Sequence, residues 1–326
     1  MANYIIRRLL YAIPILIGVN IITAILFFYI NTPDNMARIA LGEKNLKPET
    51  VEIWKRERGY HNPLFINTKE SGLSIVTQTI FFQKSINLMW FDFGKSDRNN
   101  RDIKQEIKDR MGASMAITIP TFFLGVFSFI VFSMLLAFFR GTKADLYGVT
   151  ICVFLMSISA LFFIIGGQYL LGKTLKLFPI SGYDTGIHAI KFVMLPVIIG
   201  VIASIGSSTR FYRTVFLEEI NRDYVRTARA KGLGEYAVLF KHVLKNAMIP
   251  ILTNVVVSLP FLFYGSLLME NFFAIPGLGS FTIDAINSQD FAIVRSMVYL
   301  GAVLYIIGLI MTDIAYSIFD PRVRLE

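Results

Sequence analysis

The pattern in this sequence that most directly suggests chemistry is a phosphate-binding loop. Residues 167–174 fit G-x-x-x-x-G-K-[ST], with Lys173 and Thr174 at its end. Such a loop works only where its backbone amides lie free at the start of a helix, in water, with a magnesium-holding aspartate elsewhere. Here the match ends a charge-free run, residues 146–172, and Pro179 soon follows. We interpret the match as a coincidence and predict that the chain binds no nucleotide.

Other side chains with catalytic or metal-binding potential are scattered. His61, His188 and His242 lack the spacing of metal ligands. The water-exposed stretches assemble no Ser/His/Asp set and no paired carboxylates. The single cysteine, Cys152, lies in an apolar run, so an intrachain disulfide is impossible. The sequence therefore predicts a protein that is not an enzyme and holds no metal or cofactor of its own.

The composition favours a membrane protein. Of the 326 residues, 54% are hydrophobic and 17% are charged, whereas a soluble domain has about 25% charged residues. The net charge of +9 could serve nucleic acid, but membrane proteins carry the same excess because Lys and Arg stay on the cytoplasmic side. We expect lipid, and not nucleic acid, around this chain.

Six charge-free runs approach the length of about 20 residues that crosses a bilayer. Because the bilayer core holds no water, each run must satisfy its own backbone as an α-helix. The first run ends in aromatic residues and is too long for a signal peptide, so we predict an uncleaved helix. The runs are residues 9–30, 113–139, 146–172, 192–209, 246–269 and 296–312.

The loops between these runs predict the orientation. Lys and Arg concentrate in the loop after the second run, in the loop after the fourth and in the tail with Arg322 and Arg324. Residues 271–294 have neither Lys nor Arg, while the loop after the third run is ambiguous. By the positive-inside rule both termini are cytoplasmic, which places residues 31–112 outside.

The outer segment, residues 31–112, has the features of a small appended subdomain. Pro48 opens a predicted helix over residues 48–58, with Glu49 in its first turn. A polar helix over residues 101–110 leads into the second run. The apolar stretch 72–82 is too short to span and is expected at the interface or on the subdomain.

The basic segment, residues 221–250, is the polar part on which our interpretation depends. Six Lys/Arg lie between Arg222 and Lys245. Any cytoplasmic loop collects such charges, so charge alone is compatible with a solvated face. Small residues alternating with charged ones favour instead a docking surface for a groove on a soluble protein. The candidate docking residues are Arg226, Thr227, Ala228, Arg229, Ala230, Lys231, Gly232, Leu233, Gly234 and Glu235.

Three polar residues near the predicted membrane need a role. Glu270 and Asp313 lie close to helix ends, where a structural role outweighs the functional one that intramembrane carboxylates suggest. Gln168 could line a pathway or bridge helices. Pro250 and Pro260, in the fifth run, are candidate bend points because proline removes a backbone hydrogen bond.

Several landmarks together resemble the inner-membrane permeases of oligopeptide and dipeptide ABC importers. The resemblance extends over most of the chain. It is carried by residues 4–10, 58–64, 91–96, 177–183, 224–233, 242, 245–250, 270–279 and 320–322. It implies the type I importer fold, with a second homologous permease, two cytoplasmic ATPases and an extracytoplasmic peptide-binding protein as partners. ATP and Mg²⁺ would be bound by the ATPases, and the basic segment would contain the coupling helix.

The sequence also departs from the family pattern. Related importers begin this helix with Glu-Ala-Ala, where this chain has Arg226, Thr227 and Ala228 and retains Gly232. Before the second run it has Met111-Gly112 where the family has Leu-Pro, and the stretch 72–82 is longer than usual. These differences weaken the inference of one salt bridge to the ATPase and of the cargo class.

We therefore predict an all-α membrane protein with six transmembrane helices of the type I ABC importer permease fold and a small extracytoplasmic subdomain between helices 1 and 2. It would form half of a peptide pathway in the bacterial inner membrane. The alternatives are another cargo (a nickel complex, glutathione or a peptide antibiotic) or an ion-driven secondary carrier. The predicted parts are residues 1–30, 31–112, 113–317 with the coupling loop 210–245, and the tail 318–326.

Overall fold

A computed structural model describes residues 2–42, 47–184 and 186–319 of the chain. Within these residues the fold is helical, with one isolated bridge between Lys95 and Asp102. The predicted cytoplasmic tail lies outside them from Asp320 onward. The α-helices are α1 Ala2–Ala24, α2 Pro33–Leu41, α3 Pro48–Glu57, α4 Ser74–Thr77, α5 Ile103–Phe138, α6 Lys143–Ser157, α7 Ala160–Gly167, α8 Ala189–Ile220, α9 Asp223–Ala230, α10 Glu235–Ala237, α11 Leu244–Ser258, α12 Leu267–Phe272, α13 Leu278–Asn287 and α14 Phe291–Phe319.

Among the residues that the structure describes, five helical stretches are long and apolar enough to cross a membrane. They are Ile6–Ile30, Ile103–Phe138, Gly186–Ile220, Glu235–Phe263 and Phe291–Ala315. Three of them contain a predicted run whole, and Ile103–Phe138 lacks only the last residue of the run 113–139, because a charge-free sequence of this length has to form its backbone hydrogen bonds internally. The fifth predicted run, 246–269, extends beyond its span: the helical stretch ends at Phe263, Gly265 at φ +82° turns the chain, and α12 then begins at Leu267. The all-helical class and the repeated apolar spans agree with the prediction, so the chain is a multi-pass membrane protein.

The third predicted run departs from a single helix. Lys143–Ser157 and Ala160–Thr174 meet at an angle of 91°, because Ile158 and Ser159 have extended backbones with ψ of 131° and 143°. Two extended residues interrupt the i→i−4 ladder, and neither proline nor glycine announces the break. One helix through residues 146–172 is therefore not confirmed. The count of six holds only if this bent pair is one span.

The same region contains the residues that match the phosphate-binding pattern, and their backbone conformation does not fit a phosphate-binding loop. Residues Gln168–Thr174 continue α7 as a π-helical stretch, so the backbone amides lie inside a helix and not at its start. Gln168 donates its side-chain amide to the carbonyl oxygens of Ile180 and Phe272, at 3.0 and 2.9 Å. Of its two suggested roles, the bridging one is therefore the one observed, and the phosphate-loop match is a coincidence, as expected.

Residues 2–42, 47–112 and 278–307 form one compact unit. Its core contains Phe28, Trp54 and Tyr60, and the Tyr60 ring lies 5.6 and 5.7 Å from the other two. Helix α3 agrees with the predicted helix 48–58: Pro48 occupies its first turn and Gly59, at φ +72°, follows its end. The stretch 72–82 forms only the short helix α4 and its flanks, as its length predicted.

Buried charges link distant parts of this unit. Tyr60 donates its hydroxyl to Asp97 at 2.8 Å, and the amide of Ala292 donates to the other oxygen of Asp97 at 3.1 Å. Ser96 and the Asp97 amide donate to Asp290. Because buried carboxylates need such donors, these bonds tie the outer segment to the start of α14.

The described residues among 113–277, together with 308–319, form the second unit. Its helices α6 and α8 approach closely at Gly206, where an added Cβ would lie 2.6 Å from the carbonyl oxygen of Cys152. Asp145 of α6 accepts two hydrogen bonds from the guanidinium of Arg213 on α8, at 2.9 and 2.7 Å. Small residues that let helices approach closely are typical of membrane helix packing.

Candidate functional site

Helix α9, in the basic segment, is fixed to the second unit by two side chains. Val225 and Ala228 are three residues apart, so they lie on one face, and both are buried in a core cluster with Phe216 and Leu239. Tyr224 adds a hydrogen bond from its hydroxyl to Glu219 at 2.5 Å. Its partial burial and this bond raise the pKa of Tyr224 to about 12. The opposite face of α9 is left exposed.

The turn after α9 has a defined geometry. Gly232 has φ +80°, and its amide donates to Arg229 O at 2.9 Å while the Leu233 amide donates to Ala228 O at 3.4 Å. These two bonds are the pair that defines a Schellman motif, which requires a left-handed residue at the position of Gly232. Glycine is favoured here by the left-handed backbone conformation and not by lack of space, since a Cβ at this position would meet no atom within 4 Å.

Salt bridges brace the same turn. Arg229 donates two hydrogen bonds to Glu235, at 3.0 and 2.7 Å, and thereby closes the loop between them. Glu235 also receives a hydrogen bond from Arg140, which follows α5, at 3.3 Å. Bidentate arginine–carboxylate pairs fix orientation as well as distance. The three charges therefore hold the exposed turn in one position relative to α5.

The structure sorts the ten predicted docking residues into two groups. Ala228 is buried, and Arg229 and Glu235 bond to each other, so these three support the turn from inside the chain. The remaining seven are exposed: Arg226, Thr227, Ala230, Lys231, Gly232, Leu233 and Gly234. Three of the small residues, Ala230, Gly232 and Gly234, lie on the surface, where they allow a partner to approach closely. The fourth, Ala228, instead packs within the chain.

The basic segment continues into the next membrane-spanning stretch without a break. After α10, a π-helical stretch Val238–Val243 leads into α11, and Ala247 and Ile251 are buried in the same core cluster as Ala228. Pro250 lies within α11, and Pro260 lies in the 3₁₀ stretch Leu259–Phe263 that follows. A displacement of the exposed turn would therefore reach α11 through packed side chains and continuous helix.

Glu270 has a structural environment. It is fully buried, and its carboxylate accepts the backbone amide of Ser266 at 3.0 Å. Gly265 and Gly277 press against it, since a Cβ at either would lie 2.1 or 2.3 Å from a carboxylate oxygen. Two glycines and a backbone donor enclose the group, which agrees with the structural role preferred from sequence.

A cavity of about 440 Å³ lies in the second unit, and it was not predicted. Helices α5, α8 and α11 contribute most of its lining. Its polar residues, among them Tyr212 and Asn254, carry no sequence signal, because isolated hydroxyls on apolar helices are common. Only the packing separates residues that face a cavity from residues that face lipid.

No group of three or more His, Cys, Asp or Glu side chains that could hold a metal ion occurs in the part of the chain that the structure describes. Cys152 is buried.

Comparisons with known proteins agree with this architecture. The model of the binding-protein-dependent transport system inner membrane component matches residues 110–325, and the model of its N-terminal part matches residues 1–118. The chain belongs to this family of inner membrane transport components. The family-level resemblance drawn from the sequence landmarks is therefore confirmed.

Individual relatives cover the whole chain. An oligopeptide transport system permease protein of Bacillus subtilis is 30% identical over 332 residues, which are 99% of this chain and 100% of that protein. A protein of Brucella abortus, provisionally named a peptide transport system permease, is 30% identical over 331 residues, all of both chains. A dipeptide transport system permease protein of Alkalihalophilus pseudofirmus is 28% identical over 348 residues, 99% of this chain and 100% of that protein.

Proposed function

We propose that this chain is the transmembrane permease subunit of an ATP-driven importer and forms half of the pathway for peptides delivered by an extracytoplasmic binding protein. The observation that carries the proposal is the full-length similarity to permeases of peptide transport systems, together with an exposed, braced turn after α9 in a family whose transport depends on a binding protein. Its partners are a second homologous permease, two cytoplasmic ATPases that bind ATP and Mg²⁺, and the peptide-binding protein.

The geometry of the basic segment supports a coupling role for the exposed turn. A coupling element has to be accessible to the ATPase and stiff enough to pass a displacement onward. The seven exposed residues provide the surface, and the Arg229–Glu235–Arg140 contacts together with the burial of Val225 provide the stiffness. Movement of the turn would tilt α11, which shares a core with α9, and thereby expose the pathway alternately to the two sides.

The proposal also places the chain in the bacterial cytoplasmic membrane. Both termini and the basic segment would face the cytoplasm, and residues 31–112 would face outward, where the binding protein docks. This arrangement follows from the Lys and Arg content of the short loops. The four-part division at residues 30, 112 and 317, with the coupling loop 210–245, belongs to the same proposal.

The test uses Ala230, which is exposed at the last turn of α9 and has no bracing role. The subunit is assembled in proteoliposomes with its permease partner, ATPases and binding protein, and peptide uptake and ATP hydrolysis are measured. Ala230→Trp adds bulk at the docking face, and Ala230→Ser is the matched control. We expect about a tenfold loss of uptake with tryptophan, equivalent to about 1.4 kcal/mol of lost coupling, and nearly normal uptake with serine.

Two results would contradict the proposal. One is undiminished uptake with Ala230→Trp in a complex that assembles normally. The other is ATP-independent uptake by this chain without ATPase subunits, which would favour a secondary carrier. Gly232 is unsuitable for this test, because any side chain there also strains the backbone at φ +80°.

A further inference from the structure

The cavity in the second unit has a lining that is polar in part and carries no charge. Eight of its 19 lining residues carry a hydroxyl or an amide, and none of the 19 is charged. Seven of the eight polar residues come from three helices, so they do not form a single stripe along one helix: Thr118 and Thr121 lie on α5, Ser204 and Ser208 on α8, and Asn254 on α11. We call it the polar cavity. Its volume of about 440 Å³ falls within the usual range for small-molecule sites.

Three hydroxyl groups of the polar cavity already donate their protons within the chain. Thr118 donates to the carbonyl oxygen of Leu262 at 2.6 Å, Thr121 to Ile117 O at 2.7 Å and Ser204 to Gly200 O at 2.8 Å. A hydroxyl that donates inward keeps lone pairs that can accept from a ligand. These three side chains therefore present acceptors, which suit the N–H groups of a peptide main chain.

Asn254 supplies the complementary chemistry. Its side-chain oxygen accepts the hydroxyl of Tyr212 at 3.3 Å, and this contact orients the amide nitrogen, which carries two N–H donors. Such donors suit the carbonyl groups of a main chain. Acceptors on α5 and α8 together with a donor on α11 match the alternating polarity of any peptide, whatever its side chains.

The charges of α8 are kept out of the polar cavity. Arg213 is bound to Asp145. Arg210 lies with Met156 and Ser207 on another face and donates to the Met156 sulfur at 3.0 Å. A fixed charge in a low-dielectric passage would hold oppositely charged cargo and repel like-charged cargo. Conduction requires binding weak enough for the cargo to leave.

We infer that the polar cavity is part of the cargo passage and that it accepts peptides of either charge, recognising the main chain through uncharged donors and acceptors. The inference rests on the proposed function and adds the chemical basis of selectivity. Selection by peptide side chains would then lie outside the polar cavity.

The test introduces a charge after folding, so a folding defect does not confound it. Ser208 lines the polar cavity, whereas its neighbour Ser207 is exposed beside Arg210. Ser208→Cys and Ser207→Cys are made in a Cys152→Ala background and assembled into the full transporter. Each cysteine is treated with 2-aminoethyl methanethiosulfonate, which leaves a cation, or with 2-sulfonatoethyl methanethiosulfonate, which leaves an anion. Uptake of Ala-Ala-Ala, Ala-Asp-Ala and Ala-Lys-Ala is measured before and after.

Because Ser208 lines the polar cavity, the uptake ratio of acidic to basic peptide in the unlabelled Ser208→Cys transporter is the reference for its labelled forms. The anionic label at this position should lower that ratio about tenfold, and the cationic label should raise it by a similar factor. The same labels on Ser207→Cys should leave it unchanged.

The inference is overturned if Ser208→Cys reacts with neither reagent in any nucleotide state, because the polar cavity is then closed to water. Equal effects at both positions, or no change of ratio at a labelled Ser208→Cys, overturn it as well. Failure of the proposed function is distinguishable, since the unlabelled parent transporter would then take up none of the three peptides in an ATP-dependent manner.

Discussion

Gly232 shows how one backbone angle fixes a functional surface. We predict that Gly232→Ala destabilises the turn after α9 by about 1–2 kcal/mol, the cost of a left-handed conformation for a residue with a Cβ. Asparagine tolerates this conformation better, so Gly232→Asn should cost less. Hydrogen exchange at the amides of residue 232 and Leu233 measures the effect, and alanine should accelerate exchange by about 5- to 30-fold.

The order of the two variants is the decisive result. If Gly232→Asn accelerates exchange as much as Gly232→Ala, backbone strain is not what the glycine relieves. Since a Cβ at this position meets no atom within 4 Å, a steric explanation is already excluded for both variants.

Asp97 gives the outer segment a pH dependence. Burial raises the pKa of the Asp97 carboxyl above its ordinary value, although the hydrogen bond from Tyr60 and the nearby charge of Arg295 oppose the rise. Between the ordinary value near 4 and the raised one, the folded state therefore binds more protons than the unfolded state. The free energy of unfolding should decrease as the pH rises through this interval and should be higher below it.

The rate of proteolysis within the outer segment reports its unfolding. Measuring this rate in increasing urea, at several pH values from about 3.5 to 7, gives the pH dependence in the purified protein. Asp97→Asn is the control, because it removes the titrating proton while it keeps one acceptor oxygen for Tyr60. Identical pH slopes in the two proteins would show that Asp97 is not the group responsible.

At the scale of helices, Gly206 decides how closely α6 and α8 approach. A Cβ at this position would lie 2.6 Å from Cys152 O and 3.1 Å from the Met156 amide nitrogen, and backbone atoms of a helix do not yield as a side-chain end does. We predict that Gly206→Ala lowers the free energy of unfolding by about 1–3 kcal/mol. Thermal unfolding of the purified transporter measures it.

Gly166 in α7 is the matched control for that substitution. A Cβ there meets no atom within 4 Å, so Gly166→Ala should leave stability unchanged or raise it by up to about 1 kcal/mol through helix propensity. A comparable loss in both variants would argue against close packing at Gly206.

The Asp145–Arg213 pair should also couple α6 to α8. Two charge-assisted hydrogen bonds at 2.9 and 2.7 Å join side chains that are only 10% and 20% exposed. We predict a coupling energy of about 1.5–3 kcal/mol in a double-mutant cycle of Asp145→Asn, Arg213→Gln and the combined variant. Strictly additive losses of thermal stability would mean that the pair contributes nothing beyond its separate members.

At the scale of the whole molecule, the proposed orientation predicts where attached reporters function. Alkaline phosphatase inserted after residue 70 should be active, because it folds outside the cytoplasm, whereas a fluorescent protein fused after residue 326 should fluoresce inside. The physical reason is the excess of Lys and Arg in the loops assigned to the cytoplasm. The opposite pattern of activity would reverse the topology and remove the ATPase from reach of α9.

The sequence by itself determined the class of this protein. The length of an apolar run predicts a helical span because a helix is the only single-segment structure that satisfies its own backbone hydrogen bonds in lipid. Four of the six runs lie in single long helices, apart from one terminal residue. Pro48 marked the start of α3 because its backbone preference is local. The ordered landmarks identified the family for the same reason: each is read without knowledge of its neighbours in space.

Only the tertiary structure decided which residues are buried, which are exposed and which line a cavity. The burial of Ala228, next to seven exposed docking residues, and the polar cavity beside Asn254 depend on contacts between residues far apart in the chain. Such contacts arise when helices pack, so a serine that faces a cavity and one that faces away have the same sequence signature. Packing, and not composition, separates Ser208 from Ser207.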